Sequence, residues 1–299
     1  MEIALIGYGE VGTILAEDLR EAGHAVAAFD LKLDGPEGAA MRVHADRYGV
    51  RLAPSHRDAA GGAELVVSAV TARQAVAAAS SCAPALTKAS FFLDLNSASP
   101  GAKRRAAEII DGAGGRYVEG AVMTAVPPHR IRVPLLLGGA HAAALQPVLD
   151  GLGFVPRVAS AELGVASASK MCRSVIIKGL EALLIESLTA ARHYGVEEQV
   201  LASLRETHPG IDWEKLGAHV FQRVIAHGRR RAEEMREVAE TVREAGLEPW
   251  SATGTAERQA WVADRADDGW FGTRGKSGFA GSSDWRLEAD RILERVRAR

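Results

Sequence analysis

Ile3-Ala4-Leu5-Ile6-Gly7-Tyr8-Gly9-Glu10-Val11-Gly12 stands close to the start of the chain, and an amphipathic segment, Thr13 to Ala22, follows it. A short apolar run, three glycines at the spacing Gly-x-Gly-x-x-Gly and a helical pattern read as strand, turn and helix. In that arrangement Gly7 permits the tight turn and Gly9 lets the backbone approach a pyrophosphate. Gly12 allows the helix to pack closely on the strand, with phosphate at the helix N-terminus. Glycine-rich turns are common, so the motif gains its weight from its flanks. His24 to Phe29 reads as a second strand and ends at Asp30, close to the spacing of an acid that hydrogen-bonds a ribose diol. Gly7, Tyr8, Gly9, Glu10, Val11, Gly12 and Asp30 are therefore expected to hold a dinucleotide. The Asp30 carboxylate would accept from the free hydroxyls of NAD and repel a 2′-phosphate, which makes NAD the first choice. Lys32 could partner a phosphate if the loop Leu31 to Gly38 folded back, which keeps NADP as the alternative; a solvated loop lysine is the commoner case.

Outward from this turn the pattern repeats. Glu64 to Val70 reads as a buried strand, with Ala69, Val70 and Thr71 at the carboxyl-terminal edge where such sheets bind ligand. Ala72 to Ser81 reads as helix. Phe91 to Asp94 is another strand, and Leu95-Asn96-Ser97-Ala98-Ser99-Pro100 is a polar turn with proline near a helix start. Asn96 either caps that turn or reaches a ligand. Arg116 to Val122 and Ile131 to Leu137 read as strands separated by Met123 to Arg130, where Pro127-Pro128 rules out strand interior. That stiff loop is a candidate substrate wall, with Met123 and Thr124 at its start. Gly153 to Val158 is a final strand.

Leu163 to Tyr194 contains no proline and reads as one long helix, with Lys170 near its start. At ~1.5 Å per residue it is about 45 Å long, enough to pass from one domain into another. Beyond it only helical patterns follow: Val196 to Glu206, Ile211 to His227, Arg229 to Ala245 and Pro249 to Ala266. A glycine- and serine-rich loop, Asp267 to Asp284, precedes an amphipathic helix from Trp285 to Arg299. The expected fold class is α/β: an N-terminal Rossmann-type doubly wound sheet over 1–162, then a long interdomain helix and an all-α C-terminal domain over 163–299.

With 299 residues the chain is long enough for two domains. A formal net charge of -2 suggests no nucleic-acid surface, so a small-molecule partner is expected. Cys82 and Cys172 match no zinc or redox spacing and read as reduced thiols. His208, His219 and His227 lack ligand spacing, and His129 and His141 stay unassigned, so no metal is expected. The first residues carry no signal-peptide pattern and no window approaches the ~20 apolar residues of a membrane span, which makes a cytoplasmic location the expectation.

Three motifs taken together, Gly7-x-Gly9-x-x-Gly12, Asp94-Leu95-Asn96-Ser97-x-x-Pro100 and Gly164-x-x-x-x-x-Lys170-x-x-x-Ser174, resemble the β-hydroxyacid dehydrogenase and 6-phosphogluconate dehydrogenase superfamily. The resemblance covers the full length, its carboxyl-terminal half looking most like the less characterised branch with a divergent helical domain. It implies a Rossmann domain binding NAD or NADP, a long helix carrying a catalytic lysine, and a helical domain that closes a cleft and forms a homodimer. By that resemblance Lys170 is the general acid in carbonyl reduction and the general base in alcohol oxidation. Three departures narrow the chemistry. Ser174 stands where asparagine is usual. Ile177 stands where the phosphogluconate enzymes carry a catalytic glutamate, and an isoleucine cannot transfer a proton, so 6-phosphogluconate decarboxylation is rejected. Ala121-Val122-Met123-Thr124-Ala125 replaces the serine-glycine-glycine segment that holds a substrate carboxylate in many hydroxyacid dehydrogenases. The later family lysine aligns with Glu233, and its role is not carried over. Imine reductases share the architecture but usually place aspartate or tyrosine where Lys170 stands.

Near its free pKa of ~10.4 a lysine donates a proton readily and is a poor base; burial or a cationic neighbour such as Arg173 would bring it toward working pH. Ser174, four residues on, shares its helix face. Lys178 lies about 80° further round by the 3.6-residue period and could meet an anionic substrate, although a solvated lysine is the commoner case. The expectation is an NAD(P)-dependent dehydrogenase or reductase of a small hydroxy acid or related alcohol or carbonyl, with no nucleic-acid or membrane partner. An imine or larger-carbonyl reductase is the alternative on the same fold, and a non-catalytic dinucleotide-binding sensor the alternative of another class.

Overall fold

A computed structural model describes residues 1–276 and 278–297. Residue 277 of the expected Asp267 to Asp284 loop and residues 298–299 of the expected last helix lie outside the described residues. The chain divides into two compact units, Met1–Met171 and Cys172–Arg299. This division falls inside the long helix, the second unit starting at Cys172, nine residues beyond the boundary expected at Leu163.

The first unit alternates strand and helix. In chain order it contains β1 (Glu2–Ile6), α1 (Glu10–Glu21), β2 (Ala25–Phe29), α2 (Gly38–Tyr48), β3 (Arg51–Leu52), α3 (His56–Ala60), β4 (Leu65–Ser68) and α4 (Ala75–Cys82). There follow β5 (Phe91–Asp94), α5 (Pro100–Gly112), β6 (Arg116–Val122), β7 (Pro134–Gly138), α6 (Ala142–Gly151), β8 (Val155–Ser160) and the start of α7 (Val165–Tyr194). The strands form one sheet in the order β3-β2-β1-β4-β5-β6-β7-β8. Neighbours are parallel except β6 and β7. This is the doubly wound order, entered from β1 and wound both ways.

Parallel strands covered by helices on both faces must be apolar on both faces. Ile3 to Ile6, Leu65 to Val67 and Phe91 to Leu93 accordingly lie buried throughout. Alternate residues feed two cores: Leu5, Leu93 and Leu137 pack with Leu15 and Leu19 of α1, while Ile6, Val66 and Phe92 pack with Ile110 of α5 and Tyr117. The reversal at β7 sets Leu135 opposite Val122 at the carboxyl end of β6, and the Met123 N–H donates to the Pro134 carbonyl at 3.0 Å. The 123–133 loop therefore lies at the sheet edge where β1, β4 and β5 also end.

One expected strand is shorter than the sequence suggests. Ile131 to Leu137 becomes β7 from Pro134 only, and Arg130–Arg132 form a single 3-10 turn. The cause is a pull from α1: Asp18 accepts from Arg130 Nε at 2.8 Å and from the Ile131 backbone N–H at 3.0 Å. Arg130 sits at a left-handed φ of 53° to meet it.

The second unit is helical among its described residues: the rest of α7, then α8 (Glu197–Thr207), α9 (Trp213–Glu244), α10 (Trp250–Asp267) and α11 (Trp285–Arg297). Leu184, Leu188, Trp213, Phe221, Val262, Phe271 and Trp285 make its core. The two helices expected over Ile211 to His227 and Arg229 to Ala245 are one, α9, of 32 residues. Gly228 between them is no break. A Cβ there would lie 2.8 Å from the Gln259 carbonyl oxygen of α10, so the glycine serves close helix packing.

Candidate active site

The Gly7 turn is built by its neighbours. Gly7 adopts φ +97°, and a Cβ on it would come within 2.4 Å of the Ala69 carbonyl oxygen. A Cβ on Gly12 would fall 2.0 Å from the Gly7 carbonyl oxygen, whereas one on Gly9 would meet nothing within 4 Å. Gly7 and Gly12 are thus required by protein packing, and Gly9 faces open space. Gly9 also gives α1 no side-chain cap, so the N–H groups of its first turn point out toward that space.

The side chains of this turn divide between core and edge. Tyr8 is fully buried, its hydroxyl bonded to His44 Nδ1 at 2.8 Å, and burial raises its pKa well above the phenolic range. Only its backbone faces the turn, and its N–H donates to Asp30 Oδ2 at 2.7 Å. Val11 packs against the core, while Glu10 is exposed. Asp30 ends β2, and its Oδ1 accepts from the Lys32 backbone N–H at 2.9 Å. The Lys32 ammonium is exposed and pairs with Glu37 at 3.1 Å, within the 31–38 loop. An uncapped helix start, open space at Gly9 and a fixed carboxylate at the end of β2 fit a dinucleotide.

The Asn96 amide is engaged within the protein, with one Nδ2 hydrogen and one Oδ1 lone pair beyond its bonds. Its Oδ1 accepts from Val70 N–H at 2.7 Å, its Nδ2 donates to Ser68 Oγ at 2.9 Å, and its backbone N–H donates to Asp94 Oδ1 at 2.8 Å. It laces the ends of β4 and β5 together. Asp94 in turn accepts from Lys103 Nζ at 2.8 Å and Tyr117 Oη at 2.8 Å, all three side chains being buried. Of the β4 edge, Thr71 is exposed and Ala69 and Val70 are half-buried.

Lys170, half-buried on the second turn of α7, donates from Nζ to Ser97 Oγ at 2.6 Å. Ser97 lies in the turn that follows β5, one residue beyond Asn96. The sequence marks it only as part of the Asp94-Leu95-Asn96-Ser97 motif and gives it no role of its own. Met123 packs with Ala121, Leu136 and Ala166, the last one helical turn before Lys170, and Thr124 is exposed.

The remaining expected residues belong to the helical unit. Ser174 is buried, four residues beyond Lys170 on α7. Lys178 is not a solvated lysine: it is buried and its Nζ meets Glu234 of α9 at 2.5 Å. Burial lowers its pKa, opposed by Glu234. Nearby, Glu181 is held by Arg231 and by Gln259 Nε2 at 3.3 Å. Among the described residues no group of three or more His, Cys, Asp or Glu side chains is arranged to hold a metal ion, and no helix is long and apolar enough to cross a membrane.

The family described as the NAD binding domain of 6-phosphogluconate dehydrogenase matches residues 2–154, and a domain of unknown function, DUF1932, matches residues 191–262. A conserved hypothetical protein from Sinorhizobium meliloti 1021 has a solved structure that is 36% identical, with 99% of this chain and 96% of that chain covered at a TM-score of 0.77. The 3-hydroxyisobutyrate dehydrogenase of Pseudomonas aeruginosa is 26% identical over 71% of each chain. A Streptomyces aurantiacus imine reductase shares the fold at 17% identity and a TM-score of 0.56, covering 98% of this chain and 99% of that one. The match over residues 2–154 spans more than half of the chain, and this chain belongs to the family of the NAD binding domain of 6-phosphogluconate dehydrogenase.

Proposed function

We propose that the protein is an NAD(P)-dependent oxidoreductase, with NAD as its cofactor, that interconverts a small hydroxy acid or related alcohol and its carbonyl, using Lys170 as general acid and base. The observation that carries this reading is the Lys170 ammonium on Ser97 Oγ at 2.6 Å, in the same compact unit as the Gly7 to Gly12 cradle. The likeness to 3-hydroxyisobutyrate dehydrogenase supports the substrate class.

The backbone of Gly7 to Gly12, Asp30 and the Ala69 to Thr71 edge would hold the cofactor, which supplies the hydride when bound. The protein supplies orientation and the proton. In reduction Lys170 Nζ gives its proton to the carbonyl oxygen as hydride reaches the carbon, yielding the alcohol and a neutral amine; in oxidation the neutral amine takes that proton back. Ser97 Oγ accepts from the ammonium and so holds it in one place before transfer. Ser174 lies one turn on, and Met123 and Thr124 begin the loop we assign to the substrate. Lys178 can meet a substrate anion only in competition with Glu234. Ile177, exposed on α7, offers no proton for a decarboxylation step. We place the functional partition at the start of α7 and assign the helical unit to substrate binding and dimerisation; Ile176, Leu183 and Trp250, apolar and exposed on that unit, support a homodimer.

Lys170→Met tests the reading. A positioned acid-base group contributes ~10²–10⁴ in rate, so turnover should fall by that factor while NADH affinity stays within about twofold. Unchanged turnover would remove Lys170 from the mechanism. Tight NADH binding without oxidation by any ketone, hydroxy acid or cyclic imine would favour a sensor, and turnover with cyclic imines alone would favour the imine reading that the shared fold with an imine reductase supports.

A further inference from the structure

Glu119 is a charged residue in the middle of an apolar strand. Its neighbours on β6, Tyr117, Val118 and Ala121, are core residues, and Glu119 itself is fully buried. An isolated buried carboxylate is costly unless its lone pairs are met. Here they are met by the beginning of α7. Oε1 accepts from the backbone N–H of Gly164 at 2.9 Å and of Ala166 at 3.0 Å, and Oε2 accepts from Ser167 Oγ at 2.9 Å. A side chain from a distant strand therefore does for α7 what an N-cap residue usually does locally, and its negative charge lies at the positive end of the helix dipole.

The surrounding sequence makes room for this grip. Gly138, paired with Glu119 across β6 and β7, would carry a Cβ only 2.2 Å from Glu119 Oε1. Gly164 takes φ +95° as the chain enters the helix. Any other residue at Gly138 would displace the carboxylate from the helix start.

Lys170 follows the gripped Ala166 amide by four residues, one helical turn. Its partner Ser97 is held from the neighbouring strand. Asp94, the register partner of Glu119 on β5, accepts from the Asn96 backbone N–H in the turn that presents Ser97. Two buried carboxylates side by side in the sheet thus fix the two ends of the Lys170 to Ser97 hydrogen bond: Asp94 holds the turn and Glu119 holds the helix. Asp94 has Lys103 as a counter-charge; Glu119 has backbone amides.

We infer that Glu119 is a positioning residue for Lys170, setting the height and rotation of the first turn of α7 so that the ammonium meets Ser97. Being buried, it acts through the helix and touches no substrate. The inference rests on the reading of Lys170 as the acid-base group.

Five purified variants, Lys170→Met alone among them, test it by steady-state kinetics, NADH titration and thermal melting. Glu119→Gln keeps an acceptor for both amides and should turn over within about threefold of the native protein. Glu119→Ala should lose ~10–100-fold in kcat, because a misplacement of about 1 Å can cost ~10², with NADH affinity within about twofold. In a Lys170→Met background Glu119→Ala should bring no further loss, since residues acting as one unit are non-additive. Leu149→Ala, a core truncation in α6 of the same unit, should lower the melting temperature and keep kcat. Full kcat in Glu119→Ala, an equal loss with and without Lys170, or an equal kcat loss in Leu149→Ala overturns the proposal. If Glu119→Ala does not fold, Ser167→Ala, which removes one of the three contacts, should lower kcat several-fold, and native kcat there overturns it. Native turnover in Lys170→Met sinks the proposed function and this inference together, whereas loss there with full kcat in Glu119→Ala sinks this inference alone.

Discussion

At the scale of single residues, we assign the choice between NAD and NADP to Asp30. Its two oxygens already accept from Tyr8 and Lys32 backbone N–H groups, which fixes the carboxylate while leaving lone pairs for a ribose diol. A hydrogen bond to a charged group is worth ~1.5–3 kcal/mol, or about 10–100-fold in affinity. Asp30→Ala should weaken NADH binding by that factor and NADPH binding much less, read by fluorescence titration of both; an equal loss for the two would leave Asp30 a purely structural role. The packing glycines of the motif were legible because packing and conformational rules act locally: Gly7 turns and Gly12 packs as their spacing implies. What was not legible are partnerships across the chain. Tyr8 sits inside the motif, yet its ring goes to His44. Lys178 carries nothing in its neighbourhood that announces Glu234, 56 residues on. Lys103, in the basic run Lys103-Arg104-Arg105, resembles a solvated residue and is buried on Asp94. Glu119 did leave a signal, a carboxylate inside an apolar strand, which read correctly calls for a buried partner.

At the scale of elements, strong periodicity carried over well and interruptions carried over badly. The long helix is present as α7, and six of the strands read from apolar runs stand within a few residues of their expected places. β3, two residues long, is too short to leave a pattern, and Ile131 and Arg132 take a 3-10 turn in place of strand beside the ion pair of Arg130 with α1. Gly228 looked like punctuation and is a contact point. Gly228→Ala makes this measurable. Alanine gains about 1 kcal/mol in helix propensity, but a Cβ 2.8 Å from a backbone carbonyl of α10 must push the helices apart, at ~1–3 kcal/mol. The balance predicts a lower urea midpoint; a higher one would show that α9 and α10 yield without cost.

At the scale of the whole molecule, arginine and carboxylate pairs load the helical unit with acid sensitivity. Arg192 lowers the pKa of both Glu197 and Asp290, Arg286 lowers that of Glu214, and Arg229 that of Asp267. A carboxyl whose folded pKa lies below its unfolded value contributes stability above the unfolded value and loses it as pH falls through the folded one. The melting temperature should therefore hold between about pH 5 and 8 and fall below about pH 4. Glu214, Asp267 and Asp290 are open to solvent, so the stability they add is modest and should shrink in ~1 M salt, whereas Glu197 is buried beside Arg192. Burial raises the pKa of Glu288, a contribution of opposite sign. The overall class, a doubly wound sheet followed by helices, was readable from the alternation of patterns. The side-chain partnerships were not, because buried charges such as Lys178 and Lys103 are paired by the fold and not by their neighbours in sequence.

The sheet itself ends at both margins in a way that bears on crowding. One margin is β3, only two residues long; the other is β8, where Pro156 has no N–H to donate and Arg157 stands exposed. Short, charged and proline-bearing edges offer little template for an added strand. Concentrated solutions of this protein have no long strand edge at either margin along which to recruit another chain's strand, the route by which exposed sheets seed fibrils.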